Sequence, residues 1–205
     1  MKTIYIERST GECRDGRWVE TLDLEGVERI VVGTGPGSFA GIRSALAFAQ
    51  GYALATHCEV LGLPSACAIA AQVYSSFEHS EHSNIRTFPL AVVGDARQGK
   101  IWVALFDGFR LERDVFQVNQ DELSGAVPGD FQVVTPDAKR IDEFLRSVFG
   151  DRYLGGHHSS DFASQSGFQP VDMTPTSEGL RRFAEANPSI LKPEPLPIYL
   201  NPAVR

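Results

Sequence analysis

Three stretches of the 205-residue chain carry residues whose types and spacing could do chemistry. In the first, Ile30, Val31 and Val32 lead into Gly33, Thr34, Gly35, Pro36, Gly37 and Ser38, and an Ala-rich run from Phe39 to Thr56 follows. Buried strand, tight glycine turn and helix N-terminus, in that order, form the shape of an anion cradle. The P-loop pattern fails because no lysine stands in the stretch to reach a phosphate. Gly35-x-Gly37-x-x-Ala40 matches the dinucleotide pattern, but Glu59 precedes the next strand instead of following it, where a ribose would need an acid. Gly33, Thr34, Gly35, Gly37 and Ser38 remain a candidate phosphate or nucleotide loop.

The second stretch is acidic. Asp95 stands at a strand end and is followed by Arg97, so it could position a metal or polarise a water. The competing reading, which we favour, is an aspartate that accepts backbone N–H groups to shape a turn, with Arg97 as its ion pair. Glu7, at the end of the opening strand, is a further candidate acid, with the cation Arg8 directly after it. The third stretch, Glu78 to Ser83, places His79 and His82 three residues apart with acids around them. That spacing could ligate a metal on a helix, but a polar linker is the better reading. The same holds for His157 and His158 in a Gly/Ser-rich loop. No metal site is expected.

The helix that must follow the glycine turn has three faces. Phe39, Ile42, Leu46, Ala49 and Ala53 form one apolar stripe at helical spacing, and Ala45, Phe48 and Tyr52 a second beside it. A third row, Ala40, Ser44, Ala47 and Gly51, is small throughout and lets another backbone come close. A helix buried in its own domain and a helix that also packs on a second chain are both consistent with that pattern. Arg43 gains nothing from the helix dipole in the second turn. It fits a partner or a carboxylate better.

Composition narrows the class. A hydrophobic content of 42% supports a sizeable core. The net charge of −7 argues against a chain that grips nucleic acid alone. Cys13, Cys58 and Cys67 show no metal or redox spacing. Met1 to Thr3 runs into a strand-like segment without the apolar stretch of a signal peptide, and no span reads as a membrane helix, so a cytoplasmic protein is expected.

The remaining pattern predicts a strand at Thr3–Glu7 and a hairpin over Glu12–Glu20 around Asp15-Gly16. Further strands are expected at Glu59–Leu63, Leu90–Asp95, Gly99–Phe106, Phe109–Val118, Phe131–Thr135 and Arg152–Leu154. Helices are expected from Pro64 to about Phe77, over Pro136–Phe149 and over Pro175–Ala186, before an extended proline-rich tail. The organisation expected is a first lobe over residues 1–86 and a second over 87–205, with the tail packing back on the body.

Gly33-Thr34-Gly35-Pro36-Gly37-Ser38-Phe39, then Gly41-Ile42-Arg43, resembles the signature of the TsaB (YeaZ) proteins, glycoprotease-like proteins that take part in making threonylcarbamoyladenosine in tRNA. Asp95-Ala96-Arg97-Gln98-Gly99, with the strand after it, is similar to that family's Asp-Ala-Arg-x-Gly turn. Pro197-Ile198-Tyr199-Leu200 is similar to its closing segment. The resemblance implies an α/β, two-lobed, actin-like (ribonuclease-H-like) fold with mixed sheets. It departs in two places: Ile6-Glu7-Arg8-Ser9 stands where the family reads Ile-Asp-Thr-Ser, and residues 21–28 leave no room for the helix that normally precedes the central strand. The first lobe is therefore expected to lack one helix.

The function so implied is that of a non-catalytic partner that docks and activates a TsaD-type catalytic subunit, with a TsaE-type ATPase in the same system and tRNA met only indirectly. No catalytic residue is expected, and no tightly bound cofactor; ATP or ADP is the nucleotide to test. The partner surface would be Phe39, Ala40, Arg43, Ser44, Ala47, Gln50 and Gly51, used by a homodimer when the chain is alone. Two alternatives stay open. One is an actin-like transferase or phosphotransferase using Gly35 and Gly37 for phosphates and Asp95 for a metal. The other is a self-associating protein without the heterologous partner.

Overall fold

The computed structural model describes residues 1–10, 17–78, 88–155 and 173–200. By its contacts the chain divides into two compact units, residues 1–68 with 175–198, and residues 69–174 with 199–205. The division falls inside a helix, Ser65–Glu78, and returns the segment after residue 174 to the first unit. The boundary expected at residue 86 lies outside the described residues.

The first unit is built on a sheet in the order β1-β2-β3-β9. Its strands are β1 (Lys2–Ile6), β2 (Val27–Gly33), β3 (Glu59–Leu63) and β9 (Lys192–Pro193). The first three are parallel and β9 is antiparallel to β3, so the sheet is mixed. Helix α1 (Phe39–Thr56) covers one face. There Ile6, Ile30 and Val32 meet Ile42, Ala45, Leu46 and Ala49 in one apolar cluster. Alternate strand residues meeting i, i+3, i+4, i+7 helix residues is what the two periods of the sequence require. The last helix, α5 (Ser177–Ala186), packs against β1 and β2, and Thr176 caps it by accepting from Gly179 N–H at 3.0 Å.

Two expectations for this unit change. Arg17–Thr21 is a short 3-10 helix, not the second strand of a hairpin. Trp18 turns inward instead, edge-on to Phe48 with ring centroids 5.4 Å apart. Packing the indole against the α1 cluster holds this segment as a turn of helix; Asp15 and Gly16 lie outside the described residues. Among the described residues no strand separates β1 from β2, which pair directly. Among the described residues of the connection between β1 and β2, the 3-10 helix Arg17–Thr21 is formed and no α-helix stands before the central strand.

The second unit holds the order β6-β5-β4-β8, with β7 also on β5. Its strands are β4 (Pro89–Arg97), β5 (Lys100–Asp107), β6 (Arg110–Leu111), β7 (Phe116–Asn119) and β8 (Gln132–Val134). The run expected as one strand over Phe109–Val118 is split into β6 and β7, both on β5. β4 and β5 form a long antiparallel pair, and β8 joins β4 in parallel. The core beneath them gathers Val93, Ile101, Val103, Leu123, Val133, Ile141, Leu145 and Phe149. Leu123 starts the short helix α3 (Leu123–Ala126), and Ile141, Leu145 and Phe149 are the inward stripe of α4 (Ala138–Phe149). Residues 150–152 form a 3-10 turn, and Tyr153 makes only an isolated bridge to Val133, so the strand expected at 152–154 is not made. In the tail, Pro188–Ile190 is likewise a 3-10 turn and not extended chain, with proline at its start where no N–H is needed.

Helix α2 (Ser65–Glu78) begins where expected, directly after Pro64. No helix among the described residues is long and apolar enough to cross a membrane. Because Leu145 is fully buried in the second core, Leu145→Ala should lower stability by about 2–5 kcal/mol, read from urea unfolding monitored by tryptophan fluorescence.

Candidate functional site

The glycine loop grows from the end of β2, and its geometry is set by how closely it lies against the end of β1. The Ser38 amide donates to the Ser9 carbonyl at 2.6 Å. A side chain at Gly37 would collide with the Ser9 backbone, and one at Gly41 with the Arg8 carbonyl oxygen. Gly37 also has φ near +154°, a region closed to ordinary residues. These two glycines therefore let strand end and helix start touch, backbone to backbone.

Three of the loop's amides, those of Thr34, Gly35 and Ser38, are engaged within the same unit. Thr34 N–H donates to Leu63 O at 2.9 Å and Gly35 N–H to Ser65 Oγ at 3.0 Å. The Ser38 side chain caps α1, accepting from Gly41 N–H at 3.3 Å. Ser65 N–H returns a bond to Gly35 O at 2.7 Å, and Ile198 N–H donates to Thr34 O at 2.9 Å. The C-terminal segment thus crosses the loop after β9, with the Pro195 Cβ only 2.6 Å from where a Gly62 side chain would begin. Gly33, Thr34 and Gly35 are buried; Gly37 is exposed.

Glu7 is buried beside this loop. Its Oε1 accepts from Ser9 N–H at 2.7 Å, and its own N–H donates to Ser177 Oγ at 3.2 Å. Burial pushes the Glu7 carboxyl up from its ordinary 4.5, while the Ser9 amide and the neighbouring Ser9 and Ser65 hydroxyls pull the other way. Oε2 has no hydrogen-bond partner, nor have Arg8 Nε and Ser9 Oγ. Arg8 lays its guanidinium over the Trp18 ring, 5.2 Å from the centroid. Among the described residues no group of three or more His, Cys, Asp or Glu side chains is placed to hold a metal. The His79/His82 and His157/His158 pairs lie outside those residues.

In the second unit, Asp95 and Arg97 are brought together as a turn. Asp95 Oδ1 accepts from Arg97 N–H at 2.8 Å, and Oδ2 accepts from Arg140 Nη1 at 3.0 Å, with Arg97 Nη1 at 3.6 Å. The Asp95 amide donates to Asp137 Oδ2 at 2.9 Å. Burial raises the Asp137 carboxyl; the Asp95 N–H lowers it and the Asp95 charge raises it further. Both carboxylate oxygens of Asp95 are therefore taken up in holding a turn whose Arg97, Gln98 and Gly99 all have positive φ. Asp137 and Arg140 escaped sequence reasoning because nothing in their spacing ties them to residue 95. Ser65 was legible only as a helix start beside Pro64.

The seven residues of the expected partner surface lie on one exposed side of α1. Phe39, Ala40, Arg43, Ser44, Ala47, Gln50 and Gly51 are exposed or nearly so, while Ile42, Ala45, Leu46 and Ala49 face the sheet. Phe39 is 56% exposed and Leu54, missed as part of this face because it lies in neither apolar stripe, is 83% exposed. The Arg43 guanidinium stands over the Phe39 ring, 4.9 Å from its centroid, in cation–π contact. Nothing lies within 4 Å of a side chain built on Gly51.

Two expectations follow from these contacts. Gly41→Ala, which meets the Arg8 carbonyl, should cost about 1–3 kcal/mol, whereas Gly51→Ala on the open face should gain up to about 1 kcal/mol of helix stability. Paired urea titrations check both. Because the native Glu7 pKa lies above its ordinary value, the folded chain keeps a proton that the unfolded chain releases. Stability is therefore greatest below the ordinary carboxylate pKa and falls as pH rises towards the raised one. Glu7→Gln removes that titration. Its stability relative to the wild type should rise as pH climbs from below the ordinary carboxylate pKa through the raised one, measured by unfolding at each pH.

The fold has solved relatives. A Pseudomonas aeruginosa protein described as uncharacterized with similarity to the peptidase YeaZ aligns with a TM-score of 0.57 at 20% identity, over 92% of this chain and 80% of that one. YeaZ from Pseudomonas aeruginosa aligns with a TM-score of 0.56 at 19% identity, over 89% and 78%. At that identity the likeness is one of fold, the two-lobed actin-like α/β arrangement. No curated protein matches the sequence. The family model described as TsaD, tRNA N6-adenosine threonylcarbamoyltransferase, matches residues 20–126, from the short helix of Trp18 through the glycine loop and the Asp95 turn to the end of α3. That match spans more than half of the chain, and with the TsaB-like motifs and the YeaZ-like fold it makes this chain a TsaB (YeaZ)-type member of the TsaD family.

Proposed function

We propose that this protein is a non-catalytic partner subunit in threonylcarbamoyladenosine formation, docking a TsaD-type catalytic subunit through the exposed side of α1. The coarse part, a role in that tRNA modification, follows from family membership. The observation that carries the finer part is the open face of α1. A row of small residues runs between two exposed apolar side chains, Phe39 and Leu54, with a stacked arginine near one end. Such a face lets a second helix approach closely, and the two large side chains supply the apolar area that makes the approach favourable, about 1.5–3 kcal/mol for each one fully buried.

The loop supports the same reading. A phosphate cradle works by pointing free backbone N–H groups at the anion. Here the amides of Thr34, Gly35, Ser38 and Gly41 already bond to Leu63, Ser65, Ser9 and Ser38. The loop's role in this proposal is to fix α1 at one angle on the sheet. Asp95 is likewise engaged in local structure, as is Glu7 through Oε1, and in this reading the chain alone holds no tight nucleotide.

The test is light scattering with size-exclusion chromatography on this protein mixed with the TsaD-type protein of the same source. A mixed complex is expected. Ala47→Trp, at the middle of the small row, should weaken it at least ten-fold, about 1.4 kcal/mol, and Arg43→Glu should weaken it while leaving the unfolding midpoint near that of the wild type. A mixture that elutes as two separate proteins overturns the docking role. Titration calorimetry with ATP or ADP and magnesium should give no heat for this chain alone; a micromolar site would favour the transferase reading instead.

A further inference from the structure

The carboxyl of Glu7 is buried at a point where four segments of the first unit meet. At the end of its own strand, Oε1 accepts from the Ser9 amide at 2.7 Å. A side chain built on Gly33, at the end of β2, would run into Oε2 and come within 2.9 Å of Ser65 Oγ. The carboxyl and the first hydroxyl of α2 therefore fill the space that Gly33 leaves. At the start of α5, Ser177 Oγ accepts from the Glu7 amide at 3.2 Å.

A short run of bonds leads from this carboxyl to α1. Glu7 Oε1 holds the Ser9 amide, the Ser9 carbonyl holds the Ser38 amide at 2.6 Å, and Ser38 Oγ holds the Gly41 amide at 3.3 Å in the first turn of the helix. Gly37 and Gly41 press that turn against the Ser9 and Arg8 backbone, so a shift at Ser9 is passed to the helix start.

Taking an ionised carboxylate out of water is costly unless a cation goes with it. Arg8, next in the chain, is turned to the Trp18 ring, 5.2 Å from its centroid. The groups packed on the carboxyl are Ser9 from its own strand end, Gly33 from β2 and, from α2, Ser65 and the Cys67 thiol, which burial pushes up and the Glu7 charge pushes up further. From α5 come Ser177 and, after it, Glu178, held by Arg181 and Arg182; Arg181 and Glu185 act on Tyr5, two residues before Glu7. Oε2 has no hydrogen-bond partner. A charge on that oxygen is met only by letting in water.

We infer that Glu7 is a releasable latch for the docking face: uncharged, its carboxyl holds the end of β1, the glycine loop and the start of α2 together and keeps α1 at its docking angle, and a charge on it opens that junction. The inference rests on the docking role proposed for α1. A chain of which only a fraction is in the binding-competent form binds with its affinity lowered by that fraction. Burial raises the Glu7 carboxyl above its ordinary 4.5, so the latch is closed below that value and released as pH climbs through the raised one.

The experiment compares the wild type with Glu7→Gln, which keeps the shape of the uncharged acid, at matched pH. NMR of the labelled Glu7 carboxyl carbon follows the proton directly, and should show it leaving above the ordinary value. Across that midpoint, exchange of the Ser9 and Ser38 amides should speed up about ten-fold in the wild type relative to Glu7→Gln, while Val133 in the second unit keeps a constant ratio. Over the same range the dissociation constant of the mixed complex with the TsaD-type protein should rise about ten-fold for the wild type and stay level for Glu7→Gln. The latch is overturned by a Glu7 proton lost at or below the ordinary value, by an exchange ratio that ignores pH, or by complexes of the two forms that weaken alike. If neither form makes a mixed complex at any pH, the docking role falls, while the carboxyl titration and the exchange ratio, read on the chain alone, still decide whether Glu7 opens the junction. The titration uses the unsubstituted chain, so poor folding of the variant does not remove the test.

Discussion

The first unit depends on one close contact, the meeting of the end of β1 with the start of α1. Backbone touches backbone there: the Ser38 amide reaches the Ser9 carbonyl, and Gly37 and Gly41 leave no side chain in the way. Because a helix is stiff, fixing its first turn fixes the direction of all eighteen residues of α1. The apolar stripe of that helix then falls on Ile6, Ile30 and Val32, and the small row is turned outward. The face available to another chain is a consequence of where the first turn is held.

A buried acid beside this contact fits the same picture. Glu7 is removed from water at the point where β1, the loop and the start of α2 converge, with one oxygen bonded and the other unpartnered. An ionised carboxylate in such a place is costly, and burial accordingly favours its protonated form. The arrangement ties β1 to Ser177 at the start of α5 and places the loop within reach of Ser65. The second unit uses its own acid differently. Asp95 is paired with two arginines and a backbone amide, so its charge stays compensated while it holds a left-handed turn.

Strands and helices with long, clean periods were legible in the sequence. The alternation of Ile4, Ile6, Ile30 and Val32 and the stripes of α1 and α4 can be assigned from residue spacing because each stripe finds a partner of matching period. The Asp95–Gly99 motif likewise marks a real turn, between β4 and β5. Short elements were not legible. Arg17–Thr21 reads as strand by local chemistry and becomes a 3-10 helix because Trp18 finds Phe48, a residue far along the chain. Phe109–Val118 reads as one strand and is broken in two, and Tyr153 reaches β8 by a single bridge. Elements of a few residues have too few side chains for their period to outweigh one long-range contact.

What the sequence by itself determined is the composition of each face: that α1 has a small row, that the loop after β2 must be glycine-rich, and that Asp95 is followed by a tight turn. Those are local properties, set by residue type and spacing. Which of the faces is open and which loop amides are engaged were decided only by tertiary structure. Exposure and hydrogen-bond partnership are relations between residues distant in the chain, such as Ser9 with Ser38, Ser65 with Gly35 and Ile198 with Thr34. No periodicity of a single segment encodes them, because the partner that satisfies a donor or covers a face is supplied by the rest of the fold.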